Sequence, residues 1–136
     1  MVCVYCGAAT QVINSRLQKR NNQVWRRRKC QKCHSIFTTH ELPELEKIFQ
    51  VDKNGALVPF SADILFTEVL LALQDRKNCY SEARELTGTI ISKLLHTSRD
   101  FILSAEQISR ISAEVLKRFN RRGWLRYVAE HPSLQS

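Results

Sequence analysis

The stretches CVYC at residues 3–6 and RRRKCQKC at residues 26–33 each contain two cysteines separated by two residues, and the second pair follows three arginines. A Cys-x2-Cys turn directs two sulfurs toward one metal ion, and two such turns supply the tetrahedral thiolate set that zinc prefers. The 23 residues between the pairs form a loop longer than the common one of about 15 to 20 residues. The sequence therefore predicts a closed structural zinc site with four ligands: Cys3, Cys6, Cys30 and Cys33.

Two redox disulfides or an iron cluster are the alternatives for these four cysteines, and His34 and His40 are alternative ligands. Zinc is favoured because cysteines in a reducing compartment are more often ligands than disulfides, and because four thiolates already complete the coordination of the metal. Cys79 stands alone in the sequence and is predicted to be a small packing residue.

Positive charge is concentrated in the cysteine-bearing segment. The 136-residue chain has a formal net charge of +8. Residues 1–40 contain eight basic side chains and no Asp or Glu, whereas residues 41–136 contain 13 basic and 13 acidic side chains. The thiolates and the zinc ion together would remove only about two charges. This distribution predicts a polyanion-binding segment attached to a neutral domain.

The arginines before Cys30 lie in a segment that reads as a short strand. Alternate side chains of a strand share a face, so Trp25, Arg27 and Lys29 would lie on one face and Arg26 and Arg28 on the other. The planar fork of arginine suits phosphate and the guanine edge. A solvated charge run is the alternative, disfavoured because residues 1–40 offer no acid for pairing. Trp25 is either a core residue of this cysteine-bearing segment, which is the favoured interpretation, or a stacking surface for a base.

A second region is predicted beyond HELPELEK at residues 40–47, where acids first appear and a proline interrupts any regular element. The segment 47–60 has two short apolar stretches around Asn54-Gly55, a pair typical of a type I′ hairpin turn. Ser61 is a predicted N-cap of a first helix, and a second helix is expected from about Ser81.

A third helix is predicted to open with the capping box Ser104–Gln107, and Gly123 is predicted to end it. Residues 124–131 would then form a last helical turn or two. Apolar residues at helical spacing in these helices are expected to be core, among them Ile64, Leu65, Ile111 and Phe119.

No run of apolar residues in the sequence is long enough to span a membrane, and the N-terminus lacks the pattern of a signal peptide. The sequence therefore predicts a cytoplasmic protein that does not bind membranes. An enzyme is not expected, because no Ser/His/Asp set, carboxylate pair or open metal site is visible and no catalytic residue can be named.

Several segments together resemble the NrdR family, bacterial transcriptional repressors of ribonucleotide reductase genes. They are CVYC, VINSR, VWRRRKCQKC, FTTHE and DKNGALVPF, in the family's order and spacing over about residues 1–75, and RYV at 126–128 is similar to a C-terminal family motif. Members of this family have a zinc ribbon that binds DNA and an ATP-cone domain that senses ATP against dATP and changes the oligomeric state. The resemblance implies an α+β protein with a zinc ribbon at 1–42 and an ATP-cone-like domain, a β-hairpin plus helices, at 47–131.

The resemblance also assigns roles to individual residues. It makes Cys3, Cys6, Cys30 and Cys33 the zinc ligands. It makes Arg16, Arg26, Arg27 and Arg28 contacts to double-stranded DNA. It makes Lys53, Gly55 and Tyr127 the candidate contacts to an adenine nucleotide.

Departures from the family pattern fall mainly in the predicted nucleotide site. A basic residue expected before the hairpin turn is Asp52, a glutamate is replaced by Val58, and a lysine expected early in the first helix falls on Ile64. In the ribbon, Trp25 replaces a usual arginine and Lys29 a usual glutamate. The predicted zinc ribbon is thus at least as basic as the family pattern. The predicted nucleotide site has lost basic residues that the family pattern contains.

Two functions are compatible with these features. The first is a zinc-dependent repressor of ribonucleotide reductase genes, regulated by ATP or dATP through its homo-oligomeric state. The second is a nucleic-acid-binding zinc-ribbon protein whose cone mediates self-association without sensing nucleotide. A nucleotide-binding assay distinguishes them.

Overall fold

The computed structural model describes residues 1–135 and divides into two compact units, Met1–Pro43 and a second that begins at Glu44. Strands form the first unit, and the second combines strands with helices. The predicted α+β class is therefore confirmed.

The first unit is a three-stranded antiparallel sheet. Its strands are β1 (Thr10–Gln18), β2 (Gln23–Cys30) and β3 (Ile36–Glu41), in the order β1-β2-β3. One Cys-x2-Cys turn precedes β1, and the other begins at the last residue of β2. The register between β1 and β2 shifts between Val12 and Asn14, where one extra residue bulges from β1.

The second unit contains a small mixed sheet with the order β5-β4-β6. Strands β4 (Gln50–Lys53) and β5 (Ala56–Pro59) form the predicted hairpin, and β6 (Ile102–Ser104) pairs parallel with β4. Asn54 and Gly55 have φ values of 55° and 88°. Both are therefore left-handed, as the type I′ prediction requires. The sequence did not predict β6, whose three residues are too few to show an alternating pattern.

Four α-helices complete the described part of the second unit: α1 (Ala62–Ala72), α2 (Cys79–Thr97), α3 (Ala105–Phe119) and α4 (Arg121–Ala129). Short 3-10 helices lie at Leu45–Lys47 and Pro132–Leu134. Ser61 caps α1 by accepting a hydrogen bond from the Ile64 N–H at 3.2 Å, as predicted. Ser104 caps α3 in the same way, accepting from Gln107 N–H at 3.0 Å. The Gln107 side chain donates to Thr97 Oγ1 at 3.4 Å.

Gly123 does not end α3, so that prediction was wrong. Asn120 ends α3 and caps α4, and its Oδ1 accepts a hydrogen bond from the Gly123 N–H at 2.7 Å. Gly123 lies in the first turn of α4, where a Cβ would come within 2.8 Å of Leu73 Cδ2 and 3.2 Å of the Ala72 carbonyl. A glycine is needed at this position because α4 packs closely against the end of α1, and not because a helix ends here.

The core of the second unit lies among its helices and sheet. Two residues predicted to be core are exposed: Ile64 is 59% exposed in the first turn of α1, and Phe119 is 41% exposed at the end of α3. The Phe119 ring lies 5.1 Å from the Arg76 guanidinium, so this aromatic residue contributes to the surface. The largest residues with almost no exposure include Tyr127, Leu73, Ile90, Leu94, Leu103, Leu116 and Val69.

Candidate metal centre and nucleic-acid interface

The sulfurs of Cys3, Cys6, Cys30 and Cys33 lie within 4.8 Å of one another. Two contacts join the turns: the Cys3 sulfur lies 3.7 Å from that of Cys33, and the Cys6 sulfur lies 3.5 Å from that of Cys30. A tetrahedron of sulfurs about 2.3 Å from a zinc ion has edges of about 3.8 Å, so the four side chains are arranged as zinc requires.

The two Cys-x2-Cys turns have the same backbone construction. The N–H of the first cysteine donates to the carbonyl five residues later, Cys3 to Ala8 at 2.8 Å and Cys30 to Ser35 at 3.0 Å. The N–H two residues after the first cysteine donates to its sulfur, from Tyr5 at 3.4 Å and Lys32 at 3.3 Å. Such N–H donors stabilise a thiolate.

The residue after the second cysteine has a left-handed backbone conformation in both turns. These residues are Gly7, with φ of 74°, and His34, with φ of 61°. A Cβ on Gly7 would meet nothing within 4 Å, so this glycine serves the backbone conformation alone. Among the residues described, the metal-ligating cluster contains the four cysteines and neither His34 nor His40. His40 lies on β3, opposite Trp25 of β2.

The second turn favours thiolates. N–H donors of Cys33 and Lys32 lower the pKa of Cys30 below its ordinary value. The Ser35 hydroxyl and N–H lower the pKa of Cys33 to about 6. The Ala8 N–H lowers the pKa of Cys6, but hydrogen bonds with the other sulfurs, that of Cys30 first, and burial outweigh it and raise the value to about 11. A bound cation is therefore needed for all four sulfurs to be thiolates together.

The first unit has almost no interior of its own. Within residues 1–43, all of which are described, only Cys3 and Cys30 are buried. Trp25 is half-buried and is not part of an apolar core, so the favoured interpretation of Trp25 was wrong. With so little apolar burial, metal binding must supply the stability of this sheet, on the order of 10 kcal/mol.

One face of the sheet carries arginines that are already hydrogen-bonded. Arg26 donates to Ser15 Oγ at 3.2 Å and to Glu41 Oε2 at 3.1 Å, and Arg28 donates to Thr39 Oγ1 at 3.3 Å. The prediction that no acid pairs with these arginines was therefore wrong for Arg26. The ion pair between Arg26 and Glu41 is partly exposed, so it contributes at most about 1 kcal/mol to stability. A DNA phosphate can therefore replace Glu41 as the partner of Arg26.

The opposite face is less constrained. The register places Arg16 beside Trp25, and the Arg16 guanidinium lies 6.0 Å from the centre of the indole ring. Arg27 follows on the same face and is exposed. Within residues 1–135, neither Arg27 nor Lys29 makes a side-chain hydrogen bond or ion pair. This face therefore presents cations that are free to contact a polyanion.

The predicted nucleotide contacts have different surroundings. Lys53 and Gly55 are exposed at the hairpin turn, where Asp52 Oδ1 accepts a hydrogen bond from the Gly55 N–H at 2.7 Å. Tyr127 is only 2% exposed, its ring stacks on His131 at 4.0 Å, and its hydroxyl has no hydrogen-bond partner among the described residues. A nucleotide could touch Tyr127 only if this side chain were first uncovered.

Comparisons with known proteins agree with the ribbon geometry. The family model described as "Transcriptional repressor NrdR-like, N-terminal domain" matches residues 1–41. A protein of Ralstonia nicotianae named transcriptional repressor NrdR is 33% identical over 99% of this chain and 91% of its own length. Equally named proteins of Polynucleobacter necessarius and Rhizobium etli are each 33% identical, over 98% and 95% of this chain and 90% and 82% of their own lengths. Within the described residues, no helix is long and apolar enough to cross a membrane.

Proposed function

The chain belongs to the NrdR family of transcriptional repressors, and from this premise we propose that it is a zinc-dependent DNA-binding repressor. Zinc is held by Cys3, Cys6, Cys30 and Cys33. The convergence of the four sulfurs and the lack of any other interior in residues 1–43 support this assignment. The ion has a structural role, because four protein ligands leave no open coordination position for chemistry.

Double-stranded DNA is the proposed ligand of the zinc ribbon. The observation that carries the proposal is the sheet held by the cysteines, which presents arginines on both faces while the rest of the chain has no net positive charge. The proposed contacts are Arg16, Arg26, Arg27 and Arg28. Arg16 and Arg27 lie on the face that has free cations, and we assign the first phosphate contacts to that face.

The proposed targets are ribonucleotide reductase genes, in keeping with the family, and the protein would act in the cytoplasm as a homo-oligomer. Repression requires DNA binding and no bond-breaking step, so no enzyme activity is proposed. The relatives are named as repressors, which agrees with this assignment.

We further propose that ATP and dATP regulate the protein by binding to the second unit. Lys53 and the backbone at Gly55 would contact the phosphates, with Tyr127 supporting the site from the core. The carboxylate of Asp52 is held by the Gly55 N–H, so part of its charge is directed to the turn and away from a ligand.

The alternative for the second unit is self-association without nucleotide sensing. It is favoured by Ile64, which is 59% exposed where the family pattern has a lysine. An exposed apolar side chain at that position contributes nothing to phosphate binding but can be buried against another subunit.

The proposed function is tested with zinc-loaded protein and a DNA fragment from upstream of the ribonucleotide reductase genes of the source organism. We expect this fragment to bind about 1,000-fold or more tightly than a shuffled fragment of equal length. Four phosphate contacts would give a slope of log K against log salt of roughly −3.6. The double variant Arg16→Gln/Arg27→Gln, on the face assigned to the first phosphate contacts, should have a flatter slope. Equal affinity for both fragments would reject a specific repressor, and an unchanged slope would place the contact elsewhere.

A further inference from the structure

A second cluster of cations lies in the second unit, where α3 turns into α4. Residues 115–129 contain five basic side chains and no Asp or Glu. The loop between α1 and α2 adds Arg76 and Lys77, and the stacking of Arg76 on Phe119 joins this loop to the end of α3. We call the combined region the corner surface. Its basic members are Arg76, Lys77, Lys117, Arg118, Arg121, Arg122 and Arg126.

The corner surface is strongly positive within a unit that is otherwise negative. Seven basic side chains are accompanied by Asp75, Glu82 and Glu114, whereas the rest of the chain from Glu44 onward contains six basic and nine acidic side chains. The near-neutral total of the second unit therefore conceals two regions of opposite charge. Such a separation attracts polyanions to one side of the unit.

A polar groove runs through this surface. It has a volume of about 360 Å³ and is bordered by residues of the α1–α2 loop and by Glu82, Asn120 and Arg122. A pocket for a small organic ligand is mainly apolar, but the side chains that line this groove are charged or amide groups. Three basic side chains line the groove against the two carboxylates of Asp75 and Glu82, so it combines hydrogen-bond donors with a small net positive charge, as a chain of phosphates requires.

Some of the cations hold the surface together and others are free. Arg76 forms a bidentate pair with Glu82, and Asp75 accepts from Arg126 at 2.6 Å and from Arg122 at 3.4 Å. Lys117 lies 5.0 Å from the centre of the Trp124 ring. Within residues 1–135, no side-chain hydrogen bond or ion pair engages the other three exposed cations: Lys77, Arg118 and Arg121. The paired arginines fix the loop and helix ends, and the three free cations are available to a ligand.

We propose that the corner surface is a second contact for the phosphate backbone of duplex DNA, separate from the zinc ribbon. This inference rests on the proposed DNA-binding function and extends it to the second unit. The ribbon carries the contacts that read sequence, and the corner surface adds affinity that is independent of sequence. Contacts of this kind position a protein on the duplex and depend strongly on salt.

The test compares three double variants of the zinc-loaded full chain by fluorescence anisotropy on a labelled duplex of about 30 base pairs, at about 50 to 200 mM salt. The corner variant is Arg118→Gln/Arg121→Gln, and the ribbon variant is Arg16→Gln/Arg27→Gln. The control is Lys93→Gln/Arg99→Gln, which removes the same charge near the far end of α2, about 20 Å along the helix from the groove.

If each arginine of the corner variant contacts one phosphate, the salt slope should become less negative by about 1.8, and the control should keep the slope of the original protein. A corner variant that behaves like the control overturns the inference, while loss of binding in the ribbon variant still supports the proposed function. Absence of binding by the unmodified protein at the lowest salt rejects both.

A small anion could occupy the groove instead of DNA. Inorganic pyrophosphate at constant ionic strength is the probe for this outcome. If it raises the melting temperature of the unmodified protein but not of Lys77→Gln, which removes a cation that lines the groove, while DNA binding by the corner variant matches the control, the groove is a small-anion site and the inference is rejected. No effect of pyrophosphate together with the flatter slope supports the DNA contact.

Discussion

Cys3 and Cys30, the first cysteines of the two turns, are the only buried residues within the fully described segment 1–43. Each has its N–H bonded across the turn to the carbonyl five residues later. The turns therefore position the ligands through the backbone, while the bonds from sulfur to zinc replace the apolar contacts that this sheet lacks. Loss of one ligand leaves three thiolates and no alternative core.

The first prediction concerns the ligands. Cys30→Ser should abolish zinc binding and unfold residues 1–43, because a neutral hydroxyl cannot replace a buried thiolate. Elemental analysis of pure protein should find one zinc per chain in the original protein and none in the variant. Cys79→Ser is the control, since Cys79 is half-buried in the second unit. Zinc retained by Cys30→Ser would exclude the four-cysteine site.

The convergence of the four cysteine sulfurs could be predicted from sequence because the spacing within each turn is local. The partner of Arg26 could not, because Glu41 is 15 residues away and reaches Arg26 only through the pairing of β2 with β3. The only hint in the sequence is that Glu41 is the first acid after a long basic segment.

The second prediction concerns acid stability. The Arg126 side chain, with Arg122, lowers the pKa of Asp75 below its ordinary 3.8. A carboxyl group whose pKa is lower in the folded state stabilises the fold above the unfolded pKa, and this contribution is lost as pH falls through the folded value. Asp75→Asn should therefore make the melting temperature fall less steeply with pH below about 5.

The measurement for Asp75 is thermal unfolding followed by helical circular dichroism between neutral pH and about pH 2. Glu85→Gln is the matched control, because Glu85 is exposed on α2 and its side chain forms no ion pair in the described residues. Identical acid profiles for Asp75→Asn and the original protein would mean that the pairs with Arg122 and Arg126 are not maintained in solution.

Helix ends and the hairpin turn are elements whose structure is encoded locally. Ser61, Ser104 and Asn54-Gly55 were identified from sequence because a side chain or a turn residue acts within three or four positions. Strand β6 and the role of Gly123 were missed because both depend on contacts between distant segments: β6 with β4, and α4 with α1. The N-cap of α4 at Asn120 is also a local signal. It was missed because Gly123 was interpreted as the residue that ends the third helix.

The third prediction measures the cap of α4. Asn120→Ala should lower the free energy of unfolding of the second unit by about 1 kcal/mol, because it removes the acceptor for the Gly123 N–H. Urea unfolding of the zinc-loaded full chain, followed by helical circular dichroism, gives this value. Asn78→Ala is the matched control: Asn78 precedes α2, but its side chain makes no cap hydrogen bond. Equal losses in both variants would show that the Asn120 cap contributes nothing specific.

The whole molecule combines two units that are stabilised by different means. The first depends on a metal ion, and the second on a buried cluster of apolar side chains among four helices and a small sheet. The composition change near Pro43 was visible in the sequence because acidic residues first appear there. Removal of the metal should therefore destabilise the first unit much more than the second.

The fourth prediction is that a zinc chelator unfolds residues 1–43 and leaves the second unit folded. Amide hydrogen exchange should become fast throughout β1 to β3, while α2 and α3 keep their protection. DNA binding through the ribbon should be lost in parallel. Loss of protection in the helices at the same chelator concentration would show that the second unit also needs zinc to fold.

The last prediction concerns nucleotide binding by the second unit. Lys53 is exposed beside the hairpin turn and can meet a phosphate, whereas Asp52 adds a negative charge that the Gly55 N–H only partly compensates, and Ile64 offers no charge. We therefore expect ATP and dATP to bind, but more weakly than the family pattern implies, with Lys53 as the most important side chain.

Nucleotide at about 100 times its dissociation constant stabilises the folded state by about 2.7 kcal/mol, which should raise the melting temperature of the second unit by about 10 °C or more. Lys53→Ala should reduce this rise at the same nucleotide concentration, and Lys93→Ala, which removes the same charge from α2, should not. If millimolar ATP and dATP produce no rise and Lys53→Ala changes nothing, the second unit does not sense nucleotide. Self-association would then be its function, because the exposed Ile64 that weakens a phosphate site is compatible with a subunit interface.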